Sequence, residues 1–478
     1  MPLPPSVPSG PSEPSENPAP QPGRDHPLGE RTPAARWTRR AVTAVVTLTM
    51  VAAPFLLTDP RSPLANANKP ENIRLYSNGV SRGASRSPRL IRAGSTPKYL
   101  PGSRVLDPGP SDPAALATAR ELAKESREWL AAGTVPGKGG PYEDMATAAL
   151  LDMRALLLDD GASVAGWSSR WRYVWPRDSS FVAVAMATTG HTDEALEILS
   201  FLQGVQHRNG SFEARYLPDG SGPPDDRGIQ ADGTGWALWA THTVLSEIDD
   251  AGAREDAAER LRPMIDRSTR HILNLTDRDG TLPAASADFW EVGESRVTLG
   301  TAAPLLSGLE AAARLYRELD ELASADRAAD RASELRTAIS REFGPRFARY
   351  TDGRTPDAAS AFLLPPFQPR ALPGSLTAWR SSAREMARPA GGLAPGAGWK
   401  QDGISWTPQT SLYGLTAARA GDTEAAETWL TWIDAHRTPS GAIPEKVLPD
   451  GSPAAVAPLS WSSACVVLAV AQLDRQGV

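Results

Sequence analysis

The sequence predicts an all-α protein, with about twelve helices paired into an (α/α)6 toroid behind a short irregular or β-containing arm. Three observations predict it. Apolar residues recur at three and four along most of residues 112–478, as in Leu116, Leu122 and Trp129 or Leu305, Leu309 and Leu315. Gly133, Gly161, Gly190, Gly344 and Gly421 stand where such runs stop. The chain also repeats itself. Moved along by 231 residues without gaps, Trp175 falls on Trp406, Ser180 on Ser411, Gly190 on Gly421, Leu199 on Leu430 and Gly210 on Gly441. Leu217-Pro218-Asp219-Gly220-Ser221 then falls on Leu448-Pro449-Asp450-Gly451-Ser452, and Asp279-Gly280-Thr281-Leu282-Pro283 is a looser third copy of that turn. Repeated helix pairs bury their apolar stripes on neighbouring pairs, and six pairs close a ring whose equivalent loops open at one end.

In chain order, residues 1–36 are rich in Pro, Ser and Gly and are expected to be disordered. Arg31, Arg36, Arg39 and Arg40 then precede an apolar run from Ala41 to Leu57, with a small-x-small site at Ala65-Asn66-Ala67. Basic, apolar, then small is the order of an export signal, and the run is also just long enough to span a bilayer. A cleaved signal and an uncleaved anchor both fit. Either leaves residues 1–40 cytoplasmic or in the signal and the rest outside the cytoplasm. Residues 58–111 read as linker and arm, with weak alternation at Ile73, Leu75 and Tyr76 and at Leu90 and Ile91. Helical runs follow near 113–131, 144–159, 178–189, 192–206, 235–248, 254–275, 302–320, 323–343, 376–388, 406–420, 422–436 and 460–476.

Composition narrows the function. A net charge of −6 argues against a nucleic-acid grip. One cysteine, Cys465, rules out an intrachain disulfide, and its apolar surroundings read as a buried, inert thiol. Six scattered histidines form no metal-ligand spacing, so neither metal nor cofactor is expected. Fourteen tryptophans, several beside charged residues, suit a carbohydrate, whose rings have apolar faces and a belt of hydroxyls.

The densest such stretch is Trp171-Arg172-Tyr173-Val174-Trp175-Pro176-Arg177-Asp178. Pro176 holds Trp175 extended and opens a helix. Arg177 and Asp178 read either as a grip on hydroxyls or as an ion pair packed under tryptophans. In the shifted copy Trp406 is kept and Pro408-Gln409 replaces the charges, which points the pair toward a ligand. Two glutamates stand in equivalent loops. Glu291 follows Phe289 and Trp290, and aromatic walls raise a carboxyl's pKa, as a general acid needs. Glu445 lies between Pro444 and Lys446, and the lysine favours the ionised form that suits a general base.

On these motifs residues 112–476 resemble the family 15 glycoside hydrolases: glucoamylases, glucodextranases and related bacterial trehalases. Tyr173 to Asp178 is similar to the family's aromatic-x-Trp-x-Arg-Asp motif, Asp288-Phe289-Trp290-Glu291 to the general-acid segment, Ile443-Pro444-Glu445 to the general-base segment, and Leu459-Ser460-Trp461-Ser462 to a sugar-stacking motif. The resemblance implies an inverting hydrolase acting on an α-glucan or glucoside, with Glu291 and Glu445 catalytic. It implies substrate contacts from Trp175, Arg177, Asp178, Trp290, Trp406 and Trp461. Val292 replaces a second Glu found in many glucoamylases, which bears on starch-type specificity. For the family's basic sugar ligand the candidate is Lys400. Two other classes stay open: a sugar-binding or cell-envelope protein that keeps the pocket without chemistry, and the isoprenoid cyclases that share the toroid. Asp225-Asp226 is a poor substitute for the acidic motif of the latter.

Overall fold

The inner helices of this protein are buried on nearly all sides, because each is enclosed by the others and by an outer layer. The computed structural model describes residues 73–83, 87–277 and 282–477. The apolar run 41–57 therefore lies outside the described residues, as does most of the turn at 279–283. Among the described residues no helix is long and apolar enough to cross a membrane.

The arm contributes a hairpin, β1 (Ser77–Arg82) with β2 (Pro88–Arg92), antiparallel. Twelve α-helices follow among the described residues: α1 (Pro113–Ala132), α2 (Glu143–Leu156), α3 (Pro176–Thr188), α4 (Thr192–Val205), α5 (Asp232–Ser246), α6 (Ala251–Leu275), α7 (Leu299–Glu318), α8 (Leu322–Phe343), α9 (Ser375–Met386), α10 (Thr407–Arg419), α11 (Thr423–Ala435) and α12 (Ser460–Gln476). Each overlaps one of the runs read from the periodicity. A 3₁₀ helix spans Ala358–Leu363, and a three-stranded antiparallel sheet joins β3 (Ser405–Trp406), β4 (Lys446–Val447) and β5 (Pro453–Ala454).

Helices α3, α5, α7, the 3₁₀ helix, α10 and α12 pack side by side and close on α3, forming the inner ring. Outside it lie α4, α6, α8, α9 and α11, each following its inner partner in the chain, while α2 covers α12. The architecture is thus the toroid, with one difference from the expected pairing. Helix α1 stands outside the ring, packing Ala119 and Ala123 on Val105 of the arm. Its ring place is taken by Ala358–Leu363, which no helical run covered. That segment is six residues long, is capped by Asp357 on the Ala359 N–H, and is stopped by Pro365-Pro366. Two prolines with no N–H to give prevent an α-helix from growing there.

The repeat is real at the level of elements. Shifted by 231 residues, α3 coincides with α10 end to end, and the next helices, α4 and α11, start at equivalent residues. Packing between inner helices depends on small residues. A Cβ on Gly235 of α5 would stand 2.1 Å from the Pro304 carbonyl oxygen of α7, so only glycine lets the two backbones approach this closely. Phe181, Trp236, Trp239, Phe362 and Phe367 fill the ring with edge and tilted contacts 4.7–5.7 Å apart. Cys465 is fully buried on α12, and burial pushes its thiol well above the ordinary range.

The arm is tied into this body. Arg104 makes a buried two-pronged pair with Asp152 of α2 at 2.5 and 2.8 Å, and also donates to the Ser440 carbonyl. Leu75 bridges Ala455, and Ser77 Oγ donates to the Ala457 carbonyl. The arm thereby backs the loop that carries Glu445.

Candidate active site

The first turns of α3, α10 and α12 and the loops that carry Arg215, Arg227, Glu291, Trp399 and Glu445 enclose a cavity of about 320 Å³. Trp175, Arg177, Asp178, Trp290, Glu291, Trp406, Glu445 and Trp461 all line it. Five separate stretches of sequence thus meet at one place.

Trp175 is the extended cap of α3 (φ −93°, ψ 127°), and Pro176 opens the helix without needing an N–H partner. Arg177 and Asp178 follow in the first turn, both buried. The Arg177 guanidinium is the hub. It stands 3.1 Å from Asp178, 3.6 Å from Glu291, 3.7 Å from Asp232, and over the Trp461 ring at 4.8 Å. Burial lifts the Asp178 carboxyl to about 6, with Arg177 pulling it back, so it is ionised at neutral pH. Asp232, at the start of α5, is lifted by burial to about 7, again against Arg177.

Glu291 is held on a strained turn, with φ +57°, a left-handed conformation unusual for a residue with a Cβ. Asp288 shapes that turn. Its carbonyl accepts from the Glu291 N–H at 2.8 Å, one carboxyl oxygen accepts from the Trp290 N–H, and the other accepts from Thr298. Behind it Arg349 binds Asp288, Glu294 and Asp357 at 2.6–3.1 Å and lies over the Trp290 ring at 3.7 Å. These buried partners hold a conformation that costs roughly 1–3 kcal/mol on its own. The expectation that aromatic walls dominate around Glu291 is corrected here. Phe289 and Trp290 are neighbours, but Arg227 donates to Oε2 at 2.7 Å and Gln230 donates to Oε1 at 3.0 Å.

Glu445 comes from the short sheet beside β4. Its N–H donates to the Val456 carbonyl and its carbonyl accepts from the Thr407 N–H, so the backbone is fixed on both sides. Trp171 Nε1 donates to Oε1 at 3.3 Å, Lys446 Nζ stands 3.9 Å from Oε2, and Lys446 lies over the Trp406 ring. The expectation that Lys446 sets this carboxyl's charge is also corrected: burial raises its pKa and outweighs the lowering by Lys446 and Trp171.

Lys400 does not join the site. It is exposed and absent from the cavity wall, whereas its neighbour Trp399 lines it, edge-on to Trp290 at 4.9 Å and to Trp406 at 5.7 Å. A tryptophan in a Gly-rich loop ahead of Trp406 was the signal that pointed there. Asp232 was missed too. Its signal was an Asp-Gly pair opening a tryptophan-rich helix, the same place in the turn order as Arg177-Asp178. Arg227 and Gln230 carried no motif of their own.

Several polar atoms on or beside the wall have no hydrogen-bond partner among the described residues: Arg177 Nε and Nη1, Asp178 Oδ2, Asp232 Oδ2, Gln409 Oε1, Glu445 Oε2 and the indole nitrogens of Trp290, Trp399, Trp406 and Trp461. Buried polar groups are ordinarily paired, so this density of free donors and acceptors between flat apolar faces fits a polyhydroxylated ligand.

No protein-family model and no curated protein matches the chain. Its fold is similar to that of solved glycosidases. A glycosidase in complex with glucose superposes with a TM-score of 0.59 at 22% identity, covering 69% of this chain and 96% of that one. A bacterial glucoamylase complexed with acarbose gives 0.60 at 18% identity over 75% of this chain and 60% of that one. The glucoamylase from Saccharomycopsis fibuligera gives 0.54 at 15% identity over 67% and 90%.

Proposed function

We propose that this protein hydrolyses an α-glucosidic bond of an oligosaccharide or glucoside at its non-reducing end, with inversion. The observation that carries the reading is the convergence of Glu291 and Glu445, from loops far apart in sequence, on one tryptophan-walled cavity beside Arg177 and Asp178. The superposed structures are a glycosidase and glucoamylases, and two of them are complexed with glucose or acarbose, which supports a glucoside as the substrate.

In this reading the terminal sugar enters with its hydroxyls on Arg177 and Asp178 and its faces on the indoles. Glu291 gives a proton to the glycosidic oxygen as the bond to the anomeric carbon breaks. Glu445 takes a proton from a water attacking that carbon from the opposite face, and its unpartnered Oε2 is the oxygen left for that water. The sugar leaves as the inverted hemiacetal and the leaving group as a neutral alcohol. Burial that raises the pKa of Glu445 makes it a stronger base once ionised. The two carboxyl groups must stand roughly 6.5–9.5 Å apart to admit the water.

Incubation with maltose, isomaltose, trehalose and longer α-glucans tests this reading. Glucose is expected from at least one of them. Glu291→Gln and Glu445→Gln are each expected to lose about 100- to 10,000-fold in kcat with unchanged circular dichroism. Full turnover in either variant refutes the assignment, and sugar binding with no hydrolysis of any glucoside favours a binding protein on the same toroid.

A further inference from the structure

The cavity wall carries four arginines, Arg170, Arg177, Arg215 and Arg227, in a chain whose net charge is −6. Arg177 belongs to the buried end, where it meets Asp178 and Asp232. The other three gather on one side of the rim. Arg215 is sandwiched beside the faces of Tyr173 and Trp175, pairs with Asp225, and donates to the Arg170 carbonyl. Arg227 shares the same Asp225 at 3.4 Å. Arg170 is exposed, and its guanidinium has no ion pair or hydrogen bond among the described residues. Beyond Glu291, two of these three cations therefore share one carboxylate and the third has none.

The contact between Arg227 and Glu291 conflicts with the role proposed for Glu291. A guanidinium only donates hydrogen bonds. A carboxyl oxygen that carries a proton and aims it at a glycosidic oxygen is a poor acceptor for such a donor. Glu291 Oε1 already receives Gln230, and Oε2 receives Arg227 at 2.7 Å. One donor has to be drawn away when the proton is delivered. Gln230 is buried, whereas Arg227 is 39% exposed and has the freedom to turn. A group that draws a guanidinium away from a carboxylate, in a cavity whose wall also carries the unpaired Arg170, is a second anion.

Resting on the hydrolase reading, we infer that the leaving-group side of this site is built for an anionic substituent, a carboxylate or phosphate on the departing alcohol or sugar, held by Arg227 and Arg170. The buried end grips the sugar that is released by hydrolysis, so the exposed rim is where the leaving group emerges. Binding of the anion frees Glu291 Oε2 in the same movement that positions the scissile bond.

The test compares 4-carboxyphenyl α-D-glucoside, 4-phosphophenyl α-D-glucoside and the neutral 4-(methoxycarbonyl)phenyl α-D-glucoside. The neutral compound has the better leaving group, yet the charged ones are expected to show kcat/KM higher by roughly tenfold or more, as for a hydrogen bond to a charged group. That preference is expected to shrink toward one in Arg227→Gln and in Arg170→Gln, and to fall as salt rises. The phosphate arm against the carboxylate arm tells which anion is favoured. A preference absent in the native protein, or unchanged in both variants, overturns the inference. So does inorganic phosphate raising the rate of the neutral glucoside to that of the charged ones, which places the anion off the substrate. If no glucoside is cleaved, the hydrolase reading fails. Calorimetric binding of the charged and neutral compounds then decides the arginine site separately: tighter binding of the charged ones that is lost in Arg227→Gln supports it, and equal binding refutes it.

Discussion

The first turns of α3 and α10 are the same device built twice. Each begins with an extended tryptophan cap, Trp175 at φ −93° and ψ 127° and Trp406 at φ −112° and ψ 120°, followed by a proline within two residues. Each runs 13 residues, each stands in the inner ring, and each tryptophan faces the same cavity. They differ where α3 carries Arg177-Asp178 and α10 carries Pro408-Gln409. The neutral copy packs as well as the charged one, with Pro408 and Gln409 buried. The toroid thus has no need of charges at this place, and burying a guanidinium among three carboxylates is a cost that α10 avoids. A charge set kept at one copy and dropped at its structural twin is best explained by what enters the cavity between them.

The largest effect is expected from Asp178→Asn, which brings α3 closer to its neutral twin: kcat/KM should drop about 100- to 1,000-fold, on the scale of other transition-state contacts, while the helical signal stays intact. Equal activity would mean that the pair serves packing alone. Next, Trp175→Ala should unfold the site wall by about 3–5 kcal/mol, measured by denaturant midpoint, because Trp175 packs on Ala165, Val456 and Leu459. Trp406, less buried, should cost less stability and show its loss chiefly in KM. Gln409→Ala, the neutral counterpart of the Asp178 change, should lower kcat/KM by about tenfold at most, as for one neutral hydrogen bond.

The smallest effect is in stability against pH, and it runs opposite to activity. The Asp178 and Asp232 carboxyls bind protons more tightly when folded, with values of about 6 and about 7. Their contribution to stability is full below the ordinary aspartate value of about 4 and is lost as pH rises through 6 and 7. Thermal midpoints should therefore rise as pH falls from 8 to 5, with a flatter profile in Asp232→Asn. Over the same window kcat/KM should fall, because Asp178 and Glu445 act as carboxylates and burial has raised both. An activity limb placed at the ordinary carboxylate range would contradict the burial described for Glu445.

Much of this was legible in the sequence, for physical reasons. Long helices announce themselves by period and by glycine stops, and the ungapped repeat gave the inner and outer pair a register that the structure keeps. The six-residue 3₁₀ helix at Ala358–Leu363 was invisible because it is too short to show a period and ends in prolines. Residues beside an identified motif, such as Trp290 and Glu291, were findable from local chemistry. What surrounds a carboxyl was not, since it arrives from other loops. Arg227 and Gln230 reach Glu291 from about sixty positions upstream. Lys400 illustrates the same limit: the loop does reach the cavity, but the chain turns Trp399 inward and leaves the lysine outside.

The central claim is that Glu291 and Glu445 act on opposite faces of one sugar. Proton NMR of the glucose released in the first turnovers from an α-glucoside tests it most directly, before mutarotation blurs the signal. The geometry proposed here predicts the β-anomer. Release of the α-anomer would contradict an inverting pair and reassign one of the two glutamates.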